Sequence, residues 1–314
     1  MSSGRCVIFA YSEVGVRCLK VLQSMGAEIA LVVTHRDDPN EHRWYGSVAE
    51  TAAGFGIPVI EPDSAGDPEL LRRLQTLQSD FIFSFYYRHM IGASLLATAR
   101  RGALNMHGSL LPKFRGRAPV NWAVAKGASE TGATLHYMVE KPDAGEIVGQ
   151  QAVPILGDDN AREVFDKVVV AAEIVLWNAW PKLLNGTAPR VAQDLAAGSY
   201  FGRRTPEDGR IDWRASAKEI HDLVRAVAPP YPGAFTDVKG ARLFVHRTQR
   251  LARASHPVRS STRSSGARLV LGGDELVLEC ADGESLRLLE GKVGEETVAV
   301  WMRRSGLDCV ELPG

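Results

Sequence analysis

The sequence predicts an α/β protein, with a Rossmann-like, mostly parallel sheet followed by a second, smaller β-barrel domain. Two observations lead to this fold class. In the first half, short apolar runs alternate with helix-like segments, which is typical of a parallel sheet covered on both faces. In the last third, β-rich runs are separated by short turn signals, which is typical of a compact barrel. The 314 residues, 45% of them hydrophobic, suffice to bury the cores of two domains.

Apolar periodicity gives the elements of the first half in order. Strands are expected at residues 5–10, 28–34, 58–61, 80–85 and 103–107. Helices are expected between them at residues 16–25, 48–55 and 68–78. Two further strands follow at residues 132–139 and 147–153. An amphipathic helix is then expected at 162–184, with Asp158 or Asp159 as its N-cap.

An irregular stretch around residues 186–202 separates the two halves. We therefore expect a first domain over 1–188, a linker over 189–204 and a second domain over 205–314. The second domain should begin with a short helix at about 217–227. Its hairpin turns are indicated by Lys239-Gly240, by 272–274 and by Asp282-Gly283.

Composition argues against several classes of protein. Lys plus Arg and Asp plus Glu both total 37, so there is no global charge bias toward nucleic acid or membrane. The four cysteines lack metal-ligand spacing, so we expect no metal and place them in the core of a protein in a reducing compartment. The chain shows no cationic leader and no apolar run long enough to cross a bilayer, so we expect a cytoplasmic protein. No Gly-x-Gly-x-x-Gly follows the first strand, which disfavours a nicotinamide dinucleotide.

The most informative segment, Asn105-Met-His107-Gly-Ser-Leu-Leu-Pro112, comes at the end of the fifth predicted strand. Alternate residues of a strand point the same way, so Asn105 and His107 should project together. An amide that can donate to an oxyanion then stands beside an imidazole that can move a proton near neutral pH. Either residue alone would more often be structural, but the pair favours acyl transfer to an amine.

These residues resemble the core of the folate-dependent formyltransferases, a family that includes methionyl-tRNA formyltransferase. The resemblance rests on Asn105-x-His107, on Ser109-Leu-Leu-Pro112 and on Arg115-Gly-x-Ala-Pro119. Other segments are more similar to the members that act on UDP-4-amino-4-deoxy-L-arabinose. These segments are 83–91, 201–206, 224–228 and 232–235. The similarity extends from about Val7 to about Phe235.

The resemblance implies an OB-like second domain, 10-formyltetrahydrofolate as co-substrate and no metal. It adds Asp143 to Asn105 and His107 as the catalytic set, since a nearby carboxylate can orient an imidazole. Asp in such a Pro/Gly-rich loop is more often only a turn former. The folate pocket is expected to be lined by His89, Met90, Ile91, Val139, Glu140, Lys141, Pro142 and Asp143. The aromatic residues that precede His89 can equally belong to the core.

Arginine residues suggest where an anionic acceptor would bind. Arg117 stands where the tRNA enzymes of the family usually have Ala, which points to a nucleotide diphosphate. Arg203 and Arg204 are candidates for the same site, although a solvated linker explains them nearly as well. The stretch 241–273 has seven Arg and neither Asp nor Glu, and with 255–265 it reads as an exposed basic loop.

The expected acceptor is thus the amine of a 4-amino-4-deoxy sugar nucleotide, with UDP-4-amino-4-deoxy-L-arabinose first. That acceptor implies a role in lipid A modification, and with it polymyxin resistance. The bifunctional relative carries a fused decarboxylase, which this chain ends too early to contain, so we expect a separate decarboxylase partner or a different amino sugar. Two alternatives remain open: a methionyl-tRNA formyltransferase, and a non-catalytic folate or nucleotide sensor. The neutral net charge makes nucleic acid the less favoured partner.

Overall fold

The computed structural model describes residues 4–37, 43–251 and 266–313. The chain divides into two compact units. The first comprises residues 1–119, 130–154 and 165–202, and the second comprises 120–129, 155–164 and 203–314. The expected domain bounds stay a prediction. The basic loop expected at 255–265 lies outside the described residues.

The first unit contains a seven-stranded sheet in the order β3-β2-β1-β4-β5-β7-β8. Strands β1 to β5 pair in parallel, while β7 and β8 add to the sheet in antiparallel fashion. The predicted Rossmann-like, mostly parallel sheet is therefore confirmed. The strands are β1 (Arg5–Ala10), β2 (Glu28–Val33), β3 (Val59–Ile60), β4 (Phe81–Phe85), β5 (Gly102–His107), β7 (Glu130–Tyr137) and β8 (Ile147–Pro154).

Helices lie between these strands or follow them, and the longer helices form where apolar residues recur at helical spacing. They are α1 (Ser12–Ser24), α2 (Val48–Gly54), α3 (Pro68–Leu77), α4 (Ala93–Leu96), α5 (Pro119–Ala125) and α6 (Ala161–Asn185). The start of α3 shows how local chemistry fixes an end: Pro68 takes the first position and the Asp67 carboxylate accepts from the Glu69 backbone N–H at 2.8 Å. Two short strands, β6 (Arg115–Gly116) and β9 (Tyr200–Phe201), form a separate parallel pair.

Two local predictions need correction. Helix α1 begins at Ser12 rather than at residue 16, because the Gly15 backbone N–H already donates to the Tyr11 carbonyl at 3.1 Å. This first turn is stabilised further by the Glu13 carboxylate, which accepts from the Gly46 backbone N–H at 2.9 Å. The N-cap of α6 is neither Asp158 nor Asp159. It is Asn160, whose side-chain oxygen accepts from the backbone N–H groups of Arg162 and Glu163 at 2.9 and 3.0 Å.

The central strands are buried on both faces. All five residues of β4 are buried, and so are Cys6 to Ala10 of β1. A strand of this kind reads as a continuous apolar run, which is why the sequence located β1 and β4 within one residue at each end. In register, β4 lies beside β5 with Ser84 opposite Asn105, and β7 lies on the other side of β5 with His136 opposite Asn105. This register sets the positions of the polar groups described below.

The second unit is built on a curled antiparallel sheet, a half-barrel, in the order β10-β11-β14-β13-β12-β16. Helix α7 (Ala217–Val227) precedes it, as expected, and the three predicted hairpin turns join β10 to β11, β12 to β13 and β13 to β14. The predicted β-type second domain is confirmed. Its remaining elements are β10 (Ala234–Val238), β11 (Ala241–Arg250), β12 (Arg268–Gly272), β13 (Glu275–Glu279), β14 (Ser285–Val293), β15 (Glu296–Thr297), α8 (Val298–Arg304) and β16 (Cys309–Glu311).

Three of the four cysteines are buried, but Cys309 is exposed, so its assignment to the core was wrong. It lies on the edge strand β16, where alternate side chains face solvent. Burial raises the pKa of the Cys280 thiol to about 12, which keeps that thiol protonated. Within the described part of the chain, none of the helices combines the length and apolar character needed to cross a membrane.

Candidate active site

Asn105 and His107 project from the same face of β5 at its carboxyl end. His107 is only 6% exposed, and Asn105 is half-buried. The chain turns sharply after His107 at Gly108, where a side chain would overlap the hydroxyl of Tyr86. The neighbouring strand β7 places His136 directly opposite Asn105, and the Asn105 amide nitrogen lies 3.2 Å from His136 Nε2. The structure therefore brings together the two predicted residues and a third that the sequence had not suggested.

Asp143 reaches this face from the loop that joins β7 to β8. Its Oδ1 lies 3.5 Å from His107 Nδ1 and 3.7 Å from His136 Nε2. Its Oδ2 accepts a hydrogen bond of 2.9 Å from the Gly116 backbone N–H. Asp143 has a φ of 54°, in the left-handed region that a short polar residue tolerates better than most. All three predicted catalytic residues thus lie in one cluster, with one carboxylate oxygen between two imidazoles.

The tautomer of His136 follows from its two neighbours. Its Nδ1 lies 2.9 Å from the Tyr137 carbonyl oxygen, which can only accept, so Nδ1 donates and Nε2 carries the lone pair. Asn105 must then present its NH₂ group to Nε2, and this fixes the orientation of the amide. Burial lowers the pKa of His136 to about 4, with the neighbouring His107 acting in the same direction and Asp143 against it. His136 is therefore neutral at pH 7.

The imidazole of His107 is held from its other side by the turn that follows the strand. Its Nε2 lies 2.9 Å from the Phe114 carbonyl oxygen, so Nε2 donates there and Nδ1 faces Asp143. The turn is itself tied down, because the Ser109 hydroxyl donates to the Lys113 carbonyl at 2.6 Å. Phe114 has a positive φ of 56°, an uncommon backbone conformation for a bulky residue. The 109–114 turn thus fixes the ring through a backbone carbonyl rather than a side chain.

The expected folate-pocket residues lie on two segments, 89–91 and 139–143, and most of their side chains are exposed. Met90 is 64% exposed and Val139 48%, which is unusual for large apolar side chains. Ile91 is buried in the core beside Tyr87. His89, Glu140, Lys141 and Pro142 are exposed. The second segment ends at Asp143, and the joint role of the two segments in one pocket stays a prediction.

His35, at the end of β2, braces the first of these segments and was not anticipated. Its ring stacks on Tyr87 with centroids 4.2 Å apart, and its Nε2 accepts from the Arg88 backbone N–H at 3.0 Å. Burial lowers the pKa of His35 to about 4, with the nearby His89 and Arg88 acting in the same direction. The ring is therefore neutral at pH 7, as an acceptor at Nε2 must be.

The three arginines expected to bind the acceptor have different surroundings. Arg117 lies in the first unit with an exposed side chain, while its backbone N–H donates to the Phe201 carbonyl at 3.0 Å. Arg203 is exposed in the second unit. Arg204 is half-buried, with its guanidinium 4.5 Å from the ring centre of Trp122, and burial lowers its pKa. A common diphosphate site for all three stays a prediction.

Arg115 was noted in the sequence only as a motif residue, but its setting is unusual. The side chain is 8% exposed, and its Nη2 donates to the Leu195 carbonyl at 3.3 Å. Its Nε is buried without a hydrogen-bond partner in the described part of the chain. Within those described residues, no group of three or more His, Cys, Asp or Glu side chains is arranged to hold a metal ion.

The structure resembles solved formyltransferases. An N-formyltransferase from Helicobacter canadensis, solved with folinic acid and dTDP-3-aminofucose, is 18% identical with a TM-score of 0.72, over 90% of this chain and 98% of that one. WlaRD, a sugar 3N-formyltransferase solved with dTDP and 5-N-formyl-THF, is 17% identical with a TM-score of 0.69, over 94% and 100%. A 4-N formyltransferase from Francisella tularensis is 19% identical with a TM-score of 0.64, over 78% and 97%. At these identities, the likeness concerns the fold.

Two family models match the sequence itself. The formyl transferase model matches residues 9–179, and the model of the formyl transferase carboxyl-terminal domain matches residues 203–302. The first match alone covers more than half of the 314 residues and contains the Asn105, His107 and Asp143 cluster. The expected enzyme class is confirmed: the chain belongs to the formyl transferase family.

Proposed function

We propose that the protein transfers the formyl group of 10-formyltetrahydrofolate to the amine of a 4-amino-4-deoxy sugar nucleotide. UDP-4-amino-4-deoxy-L-arabinose is the first acceptor to test. The observation that carries the proposal is the cluster at the end of β5, where Asn105, His107 and Asp143 meet. Membership of the formyl transferase family supports the reaction. The folate derivatives and dTDP-linked compounds bound by the two sugar formyltransferase neighbours support the two substrates.

The exposed segments beside the cluster fit a flat, partly polar co-substrate. Met90 and Val139 offer exposed apolar surface that a pterin ring would cover, and backbone groups of the same segments can pair with its edge. The folate supplies the formyl group and leaves as tetrahydrofolate, with a hydrogen on N10 in place of that group. The proposed folate-binding residues are His89, Met90, Ile91, Val139, Glu140, Lys141, Pro142 and Asp143.

His107 is the proposed proton carrier. Because Nε2 donates to the Phe114 carbonyl, Nδ1 is the nitrogen left to exchange a proton, 3.5 Å from the Asp143 carboxylate. As the amine nitrogen bonds to the formyl carbon, Nδ1 takes a proton from it. As the bond between the formyl carbon and N10 breaks, the same proton passes to N10. The Asp143 carboxylate stabilises the imidazolium that exists between the two transfers, and general acid–base catalysis of this kind contributes roughly 10²–10⁴-fold.

Asn105 is the proposed oxyanion donor. One hydrogen of its NH₂ group is used by His136 Nε2, and the second is available to the oxygen of the formyl group. Because His136 is neutral and its other nitrogen already donates, the amide cannot flip without losing this hydrogen bond. A donor that is fixed before the reaction stabilises the tetrahedral intermediate without reorganisation.

The choice of acceptor rests on charge. The exposed side chain of Arg117 suits the phosphates of a nucleotide. A tRNA acceptor is less favoured, since the described arginines of the 241–273 stretch are each paired with a carboxylate. These pairs are Arg242 with Asp237, Arg247 with Glu290, Arg250 with Glu284 and Arg268 with Glu279. A sugar acceptor of this kind would make the protein a cytoplasmic enzyme of lipid A modification and polymyxin resistance.

A direct assay tests the proposal. The protein is mixed with 10-formyltetrahydrofolate and UDP-4-amino-4-deoxy-L-arabinose, and the sugar nucleotide is followed by mass spectrometry. We expect the gain of one formyl group, its loss in His107→Ala, and its retention in the matched control His246→Ala, a half-buried histidine of the second unit. Formylation of initiator methionyl-tRNA instead would replace the acceptor. Turnover that persists in His107→Ala would remove the proposed mechanism, and folate binding without formyl transfer to any amine would favour the sensor.

A further inference from the structure

The 193–201 segment, which the sequence indicates as part of a linker, lies in the first unit and contacts the candidate active site. It follows α6 as a short 3₁₀ turn at Leu195–Ala197 and then the strand β9. Just before it, Val191 and Ile147 exchange two backbone hydrogen bonds of 2.8 and 3.0 Å at the start of β8. The segment is therefore anchored to the main sheet where it begins.

Ser199 binds the turn that carries Phe114 through three hydrogen bonds. Its hydroxyl accepts from the Phe114 backbone N–H at 2.8 Å, and its carbonyl accepts from the Arg115 N–H at 3.0 Å. Its own N–H donates to the Pro112 carbonyl at 3.2 Å. The preceding Gly198 allows this approach, because a side chain there would overlap the Pro112 carbonyl. One residue thus fixes the backbone on both sides of Phe114.

Phe114 is the residue whose carbonyl holds His107, so the position of Ser199 is transmitted to the imidazole. The positive φ of Phe114 has to be maintained by its surroundings. The ring of Phe114 also stacks on Phe201 of the same segment, with centroids 5.6 Å apart and planes inclined by 19°. In addition, the buried Arg115 donates to the Leu195 carbonyl at 3.3 Å. These contacts hold the backbone conformation that aims the Phe114 carbonyl at His107 Nε2.

The same segment holds the loop that carries Asp143. The Gln193 amide donates to the carbonyls of Asp143 and Gly145 at 3.1 and 2.6 Å. From the other side, Gly116 donates its N–H to the Asp143 carboxylate, and Gly116 pairs with Phe201 through β6 and β9. A side chain at Gly116 would overlap the Phe201 carbonyl, so the two strands are in close contact. The 193–201 segment therefore holds the backbone of Asp143 directly through Gln193, and it reaches the Asp143 carboxylate indirectly through Gly116.

We propose that the 193–201 segment is a positioning element of the active site, with Ser199 setting the imidazole of His107 and Gln193 setting the carboxylate of Asp143. The inference rests on the proposed function for the roles of those two residues. Ser199 and Gln193 touch neither substrate in this scheme; each acts through the residue that it holds. Misplacing a catalytic group by about 1 Å lowers the rate by roughly 10²-fold, so loss of one of these contacts should act on turnover more than on substrate binding.

Ser199→Ala and Gln193→Glu test the two routes. The first removes the hydroxyl acceptor of Phe114, and the second replaces the amide donor by a carboxylate of nearly the same shape. We expect kcat to fall roughly 10- to 100-fold in each, with KM for both substrates within about twofold of the starting value. The pH at which kcat is half-maximal should also move, because the imidazole and the carboxylate no longer face each other as before. Ser199→Thr, which keeps the hydroxyl, should restore most of the turnover.

The matched controls are Ser24→Ala and Gln151→Glu, whose side chains bond only to nearby backbone at the end of α1 and on β8. Both should leave kcat unchanged. Unchanged kcat and pH profile in Ser199→Ala and Gln193→Glu, with His107→Ala inactive, would overturn the inference and leave the proposed function intact. Full turnover in His107→Ala would instead remove the role proposed for His107, and an absence of formyl transfer by the unaltered protein would overturn the proposed function. If Ser199→Ala does not fold by circular dichroism, Gln193→Glu decides the matter by the same criteria.

Discussion

Each unit contains, among its described residues, a buried cluster with histidine and aspartate, and the two clusters differ in how closely their polar atoms are paired. In the second unit, Arg225 contacts the Asp222 carboxylate with hydrogen bonds of 2.9 and 2.7 Å and donates to the Asp159 carbonyl at 2.9 Å. His221 uses both ring nitrogens, at 2.8 Å to the Thr248 hydroxyl and at 3.0 Å to the Gly157 carbonyl. This cluster is saturated with short contacts.

The cluster of the first unit is looser at its centre. The Asp143 carboxylate lies 3.5 Å from His107 and 3.7 Å from His136, beyond the usual length of a strong hydrogen bond. One hydrogen of the Asn105 amide is not used by His136. A cluster whose polar atoms are all closely paired stabilises the fold but has little hydrogen-bonding capacity for a ligand. The looser cluster keeps hydrogen-bonding capacity with which it can bind a substrate and transfer protons. Variants in the two clusters should therefore separate stability from turnover.

The largest effect is expected for His107→Ala. We predict that kcat falls by roughly 10²–10⁴-fold, because the only proton carrier of the proposed mechanism is lost. The free energy of unfolding should change less than in the second-unit variant described next. Steady-state kinetics and urea denaturation on the same preparation measure both quantities. A loss of stability without a loss of turnover would reverse the comparison.

Asp222→Asn should produce the opposite result. Arg225, whose side chain is 9% exposed, would keep its charge but lose its carboxylate, which destabilises a folded protein by about 3–5 kcal/mol. Turnover per folded molecule should stay the same. Asp212→Asn is the matched control, since Asp212 pairs with Arg214 on the surface and its loss should leave the unfolding free energy nearly unchanged. Equal destabilisation by the two variants would show that the buried ion pair stabilises the fold no more than the surface pair does.

Two amides, the half-buried one of Asn105 and the buried one of Asn121, sharpen the comparison. Asn105→Ala should lower kcat by roughly 10²–10³-fold through loss of the oxyanion donor. Asn121, in the second unit, donates its amide to the Ala226 carbonyl at 2.8 Å, and Asn121→Ala should instead lower the unfolding free energy by about 1–3 kcal/mol. Kinetics and denaturation of both variants give the test. A fall in kcat for Asn121→Ala alone would contradict the assignment.

The last prediction concerns pH, where turnover is not involved and the change at any one pH step is small. The pKa of His136 is lower in the folded protein, at about 4, than its ordinary value of 6.5, so the unfolded chain binds more protons between these values. The free energy of unfolding should therefore fall as the pH drops from about 6.5 to about 4, by at most about 1.4 kcal/mol per pH unit. His136→Gln should reduce this dependence. Denaturation curves at pH 7, 6, 5 and 4 provide the measurement, and identical slopes in both proteins would argue against the buried neutral imidazole.

The sequence predicted the elements that depend on local pattern. It was less accurate for features that depend on residues distant in the chain. β4 was located within one residue because it is a buried, nearly continuous apolar run. β5 was located equally well because its apolar start is followed by the turn residues at 108–112. The start of α1 was missed because its first turn is stabilised by Gly46, which lies far along the chain. Asn105 and His107 followed from the alternation of a single strand, which needs no tertiary information.

His136 could not be found in this way, because it belongs to the cluster only through its register on β7. The strand was predicted, but the pairing that sets His136 opposite Asn105 depends on the antiparallel order of β5 and β7. Arg115 is a second example. Its charge predicts an exposed side chain, but packing against residues some eighty positions later buries it. A pattern gives the direction of a side chain, and only the fold gives its neighbours.

The contacts of Gln193 and Ser199 also bear on where the chain can be cut. A fragment that stopped at residue 188, the end of the expected first domain, would retain Asn105, His107 and Asp143. It would lack the donors and acceptors that hold the Phe114 turn and the Asp143 loop. Any shortened version meant to keep formyl transfer should extend at least to Gly202, where the first unit ends. The same reasoning makes an insertion or a proteolytic nick between residues 193 and 201 an inactivating change, although no substrate-binding group would be removed.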